Sequence, residues 1–443
     1  MERITEKNVA GLWRSGLISG LEDDLGNDIQ VIHPGRGSTG AGCDFQDAVI
    51  EMNGERIVGD VEIHVTSDLW LKHRHNVNPL YNGIILHAAM WQRGGLPVKL
   101  HNGRTIPTVI LHKFIPGQAA DIRLTSNMPA PGCPHSRRPA IRTKLHRILA
   151  RAGRQRFIQK SETFSTSLCT MDASQVLYKA ICRALGYFRN AAPFEELAGI
   201  LPFSLLEKYA VCDPLTRQAC LFGAAGLLPS QGPDMGICTD EEESAMEGRW
   251  LDVRLPVSPM AGGKWTHSCI RPGNSPLKRL AGLSYLLNRF EDTGVLAGLS
   301  LLIATAPLKQ ASLILGNCLT VKGDGYWAWH HDFGRSHEHA TALIGRGRAG
   351  EIAVNAVLPF FHALAHGEGD ESLERKISAV YRGHKELPGN ELTRYMRHEL
   401  SIEGSGGLTA CLQQGLLHIY HSWCRVKECQ SCPVFTGRMP DRV

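Results

Sequence analysis

The chain lacks an apolar stretch long enough to cross a bilayer, which excludes the class of proteins with a membrane-spanning helix. Its longest apolar run, residues 294–308, holds 15 residues, whereas a spanning helix needs about 20. The first residues, MERITEK, carry charges where a secretory signal needs an apolar segment. We therefore expect a cytoplasmic protein.

Pairing of all the cysteines in disulfides is also excluded, because the chain has 13 of them, an odd number. In a reducing compartment, free thiols or metal ligands are more common than disulfides. Length and composition are otherwise ordinary. A chain of 443 residues with 43% hydrophobic and 21% charged residues can form two or three globular domains.

Acidic residues are absent from Leu124 to Ser161, although the net charge of the whole chain is only +5. Basic residues recur there at steps of three and four, which places them along one side of a helix. Such a side can neutralise nucleic acid phosphates, or it can be a solvated helix face without a partner. We call this set the basic stripe, and its members are Lys144, Arg147, Arg151 and Arg154.

Residues 42–65, GCDFQDAVIEMNGERIVGDVEIHV, predict a hairpin that gathers acidic side chains. Two strand-like runs, residues 45–52 and 56–65, flank Asn53-Gly54, a typical tight turn. Side chains alternate along a strand, so Asp60, Glu62 and His64 share one face. Asp44 starts the first run and is expected to lie near the far end of the second.

This arrangement predicts a site for Mg²⁺ or Mn²⁺. Asp44 and Glu62 are the expected ligands, with Asp60 as a third carboxylate, because hard divalent cations prefer oxygen ligands. His64 is placed to orient or deprotonate a metal-bound water, or to bind the metal itself. The alternative is a structural hairpin with a solvated polar face.

The order Asp44, then Glu62-Ile63-His64 on the next strand, resembles the core of the PD-(D/E)xK nucleases. His64 stands where that superfamily has lysine, and Cys43 stands where proline usually precedes the aspartate. The resemblance implies divalent-metal-dependent cleavage of DNA or RNA, a restriction-endonuclease-like mixed sheet, and a further acid, Glu6, on the first helix. Two alternatives stay open: a non-catalytic nucleic-acid-binding protein with a structural metal site, and a metal-dependent hydrolase of a small phosphorylated molecule.

A second resemblance covers nearly the whole chain. It is carried by GCDF, GDVEIHVTSDLW, HRHNVNPLYNGIILH, LFGAAGLLP, RPGNSPLKRLAGL, YWAWHHDFG and QQGLLHIYHSWCRVKECQSCPV. These segments are similar to the successive signatures of a bacterial family known only as a domain of unknown function, in which the first segment usually reads GPDF. The resemblance implies no mechanism.

Downstream of the hairpin, the run Lys72-His73-Arg74-His75 is dense in groups that bind phosphate or metal. We interpret His73 and His75 as substrate contacts, together with Arg147, Arg151 and Arg154 of the basic stripe. Imidazoles are also common ligands of transition metals, so His73, His75 or His87 can contribute to a metal site.

The fold expected from these patterns is an α/β domain over residues 1–130, followed by a mainly helical region over 131–443 that ends in a cysteine loop. Strand candidates at residues 28–34, 84–90 and 109–114 accompany the hairpin. Residues 127–139, NMPAPGCPHSRRP, carry four prolines and indicate a boundary.

Cys424, Cys429 and Cys432 follow the spacing C-x4-C-x2-C, which favours zinc or an iron–sulfur cluster over three reduced structural thiols. The loop resembles that of endonuclease III-type DNA glycosylases, where a fourth cysteine follows. Here the fourth ligand is open. Cys411 would lie about 20 Å from Cys424 along one helix, too far to share a metal. The candidates that remain are His421, Cys133, Cys212 and Cys269.

Overall fold

A computed structural model describes residues 4–15, 18–38, 42–95, 97–115, 133–209, 213–232, 241–267, 270, 272–323, 325–402 and 407–440. The chain divides into two compact units, each made of non-contiguous segments. The first unit comprises residues 1–152, 390–405 and 416–443, and the second comprises residues 153–389 and 406–415. The C-terminal segment therefore belongs with the N-terminal part of the chain, whereas the sequence suggested a single boundary at residue 130.

A seven-stranded mixed sheet forms the centre of the first unit. Its order is β1-β2-β4-β5-β6-β9, with β3 beside β4. The β5–β6 and β6–β9 pairs are parallel and the others antiparallel, while β7 and β8 form a separate ribbon. The strands are β1 Leu21–Glu22, β2 Asp28–His33, β3 Arg36–Gly37, β4 Phe45–Met52, β5 Glu55–Thr66, β6 Ile84–Trp91, β7 Val98–Lys99, β8 Thr105–Ile106 and β9 Thr108–Ile110.

The predicted hairpin is present as β4 and β5. Asn53 and Gly54 connect the strands with φ angles of 53° and 82°, the left-handed conformation that a two-residue turn of this kind requires. The strand candidate at residues 109–114 is only partly correct. Strand β9 ends at Ile110, and Leu111–Phe114 form a 3₁₀ turn instead.

One face of β5 packs on the first helix, Glu6–Ser15. Its residues Val9, Leu12 and Trp13 are buried at three- to four-residue spacing, which places them on one side of the helix. They share a core with Val61 and Ile63 of β5. The apolar face of the hairpin thus forms the main core of this unit.

The opposite face of β5 is covered by the connection to β6. Because β5 and β6 are parallel, the chain must cross from one end of the sheet to the other between them. The crossing contains the helix Leu69–Lys72 and the 3₁₀ turns His75–Val77 and Pro79–Tyr81. Under this cover Glu62 is 5% exposed and His64 is 1% exposed. The polar face is therefore not solvated at these two positions.

Asp47, in a bulge of β4, forms hydrogen bonds with the C-terminal segment. The β4–β5 register shifts between Phe45 and Ala48, and Asp47 in the bulge has a φ of 53°. Its carboxylate accepts hydrogen bonds from Tyr420 Oη at 2.6 Å and Arg425 Nε at 2.7 Å. These contacts join residues far apart in the chain within the first unit.

Helical elements complete the first unit. Two of them belong to it only in part: the long helix Pro139–Leu168 begins in this unit, and the helix Ala410–Ile419 ends in it. The others are the helices Glu391–Glu399 and Pro433–Thr436, the π-helical turn Tyr420–Cys424 and the 3₁₀ turn Cys429–Ser431.

The second unit is mainly helical, which confirms the predicted order of a mixed α/β part followed by a helical region. Its small hairpin pairs β10 His330–Asp332 with β11 Arg335–Ser336. In the described part of the chain, no helix has both the length and the apolarity needed to cross a membrane. The helices are Ala173–Leu185, Tyr187–Ile200, Phe203–Tyr209, Pro214–Ala224, Glu241–Val253, Pro276–Asn288, Val295–Thr305, Leu308–Leu319, Gly325–Trp329, Arg346–Ile352, Leu358–Glu368 and Glu371–Gly383, with a π-helical turn at Ala353–Val357 and 3₁₀ turns at Pro229–Gln231, Gly262–Lys264 and Pro272–Asn274.

We expect Asp47→Ala to lower the free energy of unfolding by about 2–3 kcal/mol, because it removes two hydrogen bonds to a partly buried carboxylate. Asp47→Asn keeps an acceptor for Tyr420 and tolerates the left-handed backbone, so it should cost less. Urea unfolding measures both changes. Glu51→Gln, on the same strand, is the matched control, and an Asp47→Ala protein as stable as this control would contradict the proposed anchoring role.

Candidate metal centre

Strand β5 and the connection that follows it bring histidines and a carboxylate together. Glu62 and His64 project from the same strand face, and the connection returns His73 and His75 to that face. His64 Nε2 lies 3.2 Å from His73 Nδ1. Glu62 Oε1 lies 3.2 Å from His75 Nε2 and 3.9 Å from His64 Nε2.

Three imidazoles are close enough to surround one cation. His64, His73 and His75 each offer a ring nitrogen, and these nitrogens lie within 4.8 Å of one another. Ligands at about 2.1 Å from a tetrahedral zinc ion are about 3.4 Å apart, which is comparable to the contacts in this group. We call these three residues the histidine cluster. Glu62 adjoins two of its members.

A buried hydrogen-bond chain sets the orientation of His64. His64 Nδ1 lies 2.9 Å from His87 Nε2, and His87 Nδ1 lies 3.4 Å from Thr108 Oγ1. His87 and Thr108 are both fully buried. Because Nδ1 of His64 is occupied by His87, Nε2 is the nitrogen directed to the cluster. Metal-binding histidines are commonly oriented by such a second contact.

Aromatic rings enclose the cluster on the side away from solvent. The buried Trp70 ring lies 5.3 Å from the rings of both His75 and His87. The Tyr81 ring lies 4.0 Å from that of His75, centroid to centroid. The histidines therefore have a largely apolar environment, in which an uncompensated charge is costly.

The two carboxyl groups beside the cluster are held by backbone donors. The N–H of Asp44 donates to Glu62 Oε2 at 3.1 Å, and the N–H of Ile63 donates to Asp44 Oδ2 at 2.9 Å. Burial, together with the charge of Glu62, raises the pKa of Asp44 to about 6. Burial, together with the charge of Glu6, raises the pKa of Glu62 to about 8. Both anions are thus disfavoured unless positive charge is nearby.

Three histidines of the site, His64, His75 and His87, have lowered pKa values and are uncharged near neutral pH. Burial and the neighbouring rings lower the pKa of His64 to about 2, and burial with His75 lowers the pKa of His87 to about 3. Burial also lowers the pKa of His75. Neutral imidazole is the form that binds metal. The site therefore combines the neutral nitrogen donors of His64 and His75 with two carboxyl groups whose raised pKa values a bound cation would lower.

Solvent reaches the cluster from one side. His73 is exposed, as are its neighbours Lys72 and Arg74, while Asp44 is half-buried. Lys72 forms an ion pair with Asp68, with Nζ and Oδ2 2.6 Å apart. His73 is therefore the member of the cluster that a ligand can reach from solvent.

Comparison with known proteins identifies the family of this chain but gives no information about its chemistry. Residues 6–387 match the family described as "Protein of unknown function (DUF2851)". The chain belongs to this family. The family predicted from the sequence segments is therefore confirmed. The match ends before the C-terminal cysteines. No curated protein and no solved structure matches the chain.

The DUF2851 chain brings together most of the residues predicted for the hairpin site. Asp44, Glu62 and His64 are adjacent, and Glu6, although exposed, is close enough to raise the pKa of both carboxyl groups. Asp60 is the exception. Its carboxylate accepts hydrogen bonds from the Asp47 N–H at 3.2 Å and from the Cys43 thiol, and none of the histidines is among its contacts in the described part of the chain.

The histidines of the connection lie together in the candidate ligand group, one of the two roles that the sequence left open for them. His73 and His75 were interpreted mainly as substrate contacts, and in the DUF2851 fold they stand within the candidate ligand group. The Thr108 contact to His87 could not be inferred, since it depends on the pairing of β6 with β9. A histidine two residues from Glu62, followed by His-x-His after a short crossover, is the sequence signal that indicates the cluster.

The remaining predicted residues lie elsewhere. The basic stripe is on the long helix Pro139–Leu168, and Lys144, Arg147, Arg151 and Arg154 are all exposed. Cys424, Cys429 and Cys432 are in the first unit, whereas Cys411 is in the second, where it contacts Tyr381. Two of the candidate fourth ligands, Cys212 and Cys269, lie outside the described residues.

We expect His87→Phe to weaken Mn²⁺ or Zn²⁺ binding about 10- to 100-fold, because His64 loses the partner that orients its ring. His87→Gln keeps a polar group in the same place and should restore part of the affinity. Chelator competition measures each constant. Thr108→Val, one step further from the cluster, should have a smaller effect, and equal affinities for His87→Phe and the unmodified protein would refute this role for His87.

Proposed function

We propose that this protein is a divalent-metal-dependent nuclease that uses the histidine cluster as its metal site. The observation that carries the proposal is the approach of three imidazole nitrogens to within 4.8 Å of one another, next to the buried carboxyl group of Glu62. Such a set suits metal binding, because burial lowers the pKa values of His64 and His75 and raises those of the carboxyl groups of Asp44 and Glu62.

The donor set favours Mn²⁺ or Zn²⁺ over Mg²⁺. Imidazole nitrogen suits transition metals, whereas Mg²⁺ prefers carboxylate and water oxygens. His64, His73 and His75 are the proposed ligands, and Glu62 and Asp44 are the proposed carboxylates for binding metal or positioning water. A metal bound there would polarise a phosphate and acidify a bound water, the chemistry that phosphodiester hydrolysis needs.

The proposed substrate is nucleic acid. Lys72 and Arg74 are exposed next to His73 and can contact phosphates at the mouth of the site. The basic stripe supplies more exposed positive charge on the long helix. The proposal includes a cytoplasmic location, where disulfides are rare, and none of the ten described cysteines forms one.

We expect purified protein to cleave DNA or RNA with Mn²⁺, and Glu62→Gln and His73→Gln to lower the rate more than about 100-fold. Both variants keep a polar side chain of similar size, so the fold should be retained. Gel assays on plasmid DNA and single-stranded RNA measure the rate, and circular dichroism checks folding. Glu55→Gln removes an exposed carboxyl group at the other end of the same strand and is the matched control.

Two results would exclude the nuclease assignment. One is equal activity in Glu55→Gln, Glu62→Gln and His73→Gln, which would indicate a contaminating nuclease. The other is metal-dependent hydrolysis of 4-nitrophenyl phosphate without cleavage of any nucleic acid or of bis(4-nitrophenyl) phosphate. That outcome would favour the hydrolase of a small phosphorylated molecule.

A second candidate, non-catalytic nucleic acid binding, is favoured by the exposure of the basic stripe. We expect Arg147→Gln with Arg151→Gln to weaken DNA binding alike for all sequences. Each lost phosphate contact should reduce the slope of log affinity against log salt by about 0.9. Fluorescence anisotropy at several salt concentrations measures both effects.

The control for this variant removes two exposed arginines elsewhere, Arg183→Gln with Arg375→Gln, and so matches its net charge. If both double variants bind DNA with the same affinity and salt slope, the basic stripe is a solvated helix face. Binding without cleavage in the presence of Mn²⁺ would support the second candidate over the nuclease.

A further inference from the structure

The three C-terminal cysteines lie on a short curled segment of the first unit. Cys424 ends the π-helical turn Tyr420–Cys424, and Cys429 begins the 3₁₀ turn Cys429–Ser431. Cys432 is the N-cap of the helix Pro433–Thr436. The Cys424 thiol donates a hydrogen bond to the Cys432 sulfur, which the backbone N–H groups of Val434 and Phe435 also approach.

A fourth cysteine, Cys133, is held next to this segment by contacts of its own turn. The His135 ring meets the Phe435 ring edge-on at 4.8 Å, and the Arg138 guanidinium lies 5.0 Å from the centre of the same ring. Phe435 is three residues from Cys432. The turn that carries Cys133 therefore packs directly on the helix that Cys432 caps.

Backbone contacts fix the position of Cys133 itself. Its N–H donates to the carbonyl of Glu399 at 2.9 Å, and its carbonyl accepts from Ser136 Oγ at 2.9 Å. The thiol is half-buried. Cys133 is two residues from His135 and Cys432 is three residues from Phe435, so the contact between these two rings places both cysteines in the same part of the first unit.

We infer that Cys133, Cys424, Cys429 and Cys432 together ligate one thiophilic metal centre, either a zinc ion or an iron–sulfur cluster. Four sulfur ligands form a complete set for both kinds of centre. The fourth ligand therefore comes from the turn that precedes the long helix Pro139–Leu168, far from the other three cysteines in the sequence. His421, the candidate on the preceding turn, is not needed.

The inference is independent of the proposed nuclease activity, because it uses a separate set of residues. It also gives the cysteines a structural purpose. A metal that joins Cys133 to the C-terminal segment closes a very long loop of chain, and metal binding of this kind contributes directly to folding. The segment is already joined to β4 through Asp47, so the metal would be its second attachment within the first unit.

The first test is metal analysis of full-length protein purified without oxygen. We expect about one zinc per chain at this site, or iron with matching acid-labile sulfide and broad visible absorption. Cys133→Ser and Cys429→Ser should each remove this metal. Cys169→Ser, which replaces an exposed thiol outside the set, should retain it. Each variant is also made with His73→Gln, so that metal bound at the histidine cluster is not counted.

Alkylation of the unmodified protein provides a test that does not depend on how the variants fold. In the metal-loaded protein, iodoacetamide should modify Cys169 and spare Cys133 and the exposed Cys429. After metal removal by a chelator, both should react. Mass spectrometry identifies each modified cysteine.

Three outcomes would overturn the inference. Protein purified without oxygen that contains neither zinc nor iron beyond the histidine cluster has no centre of this kind. Full metal content in Cys133→Ser would show that the fourth ligand is another group. Rapid alkylation of Cys133 in loaded protein, with Cys429 still protected, would lead to the same conclusion.

Discussion

The candidate site depends on the burial of the polar face of β5 beneath the connection to β6. Glu62 and His64 are removed from water there, and the same connection supplies His73 and His75. Burial lowers the pKa values of His64 and His75 and raises those of Asp44 and Glu62. A solvated hairpin with the same residues would hold ordinary charges, screened by water. The crossover of the parallel strands thus creates both the geometry of the site and its electrostatics.

Local features of the fold could be predicted from the sequence because they depend on neighbours in the chain. The Asn53-Gly54 turn and the alternation along β5 are of this kind, and both are present. The contacts of His64 with His73 and His87 are different, since they require the parallel pairing of β5 with β6. The residue types at positions 72–75 indicated groups that bind phosphate or metal. Which of the two they bind depends on where the connection places them relative to β5.

The C-terminal segment shows the same limit at a longer range. The cysteine spacing indicated a metal loop without identifying a fourth ligand. Cys133 is separated from this segment in the sequence by the residues of the second unit, so no periodicity or spacing connects the two. Cys411, which the expected length of a helix excluded as a ligand, belongs to the second unit. Distances along a helix follow from its rise per residue and can be estimated from the sequence. A contact between segments far apart in the chain produces no local sequence pattern.

The interrupted course of the first unit has a consequence for synthesis on the ribosome. Its sheet is complete by Ile110, yet the partners of Asp47, Tyr420 and Arg425, emerge only after all of residues 153–389. Domains generally fold as their residues become available. The second unit can therefore assemble before residues 416–443, the last segment of the first unit, have been synthesised. Until then Asp47 lacks Tyr420 and Arg425 as partners, so the nascent chain passes through a stage at which chaperones could recognise the incomplete first unit.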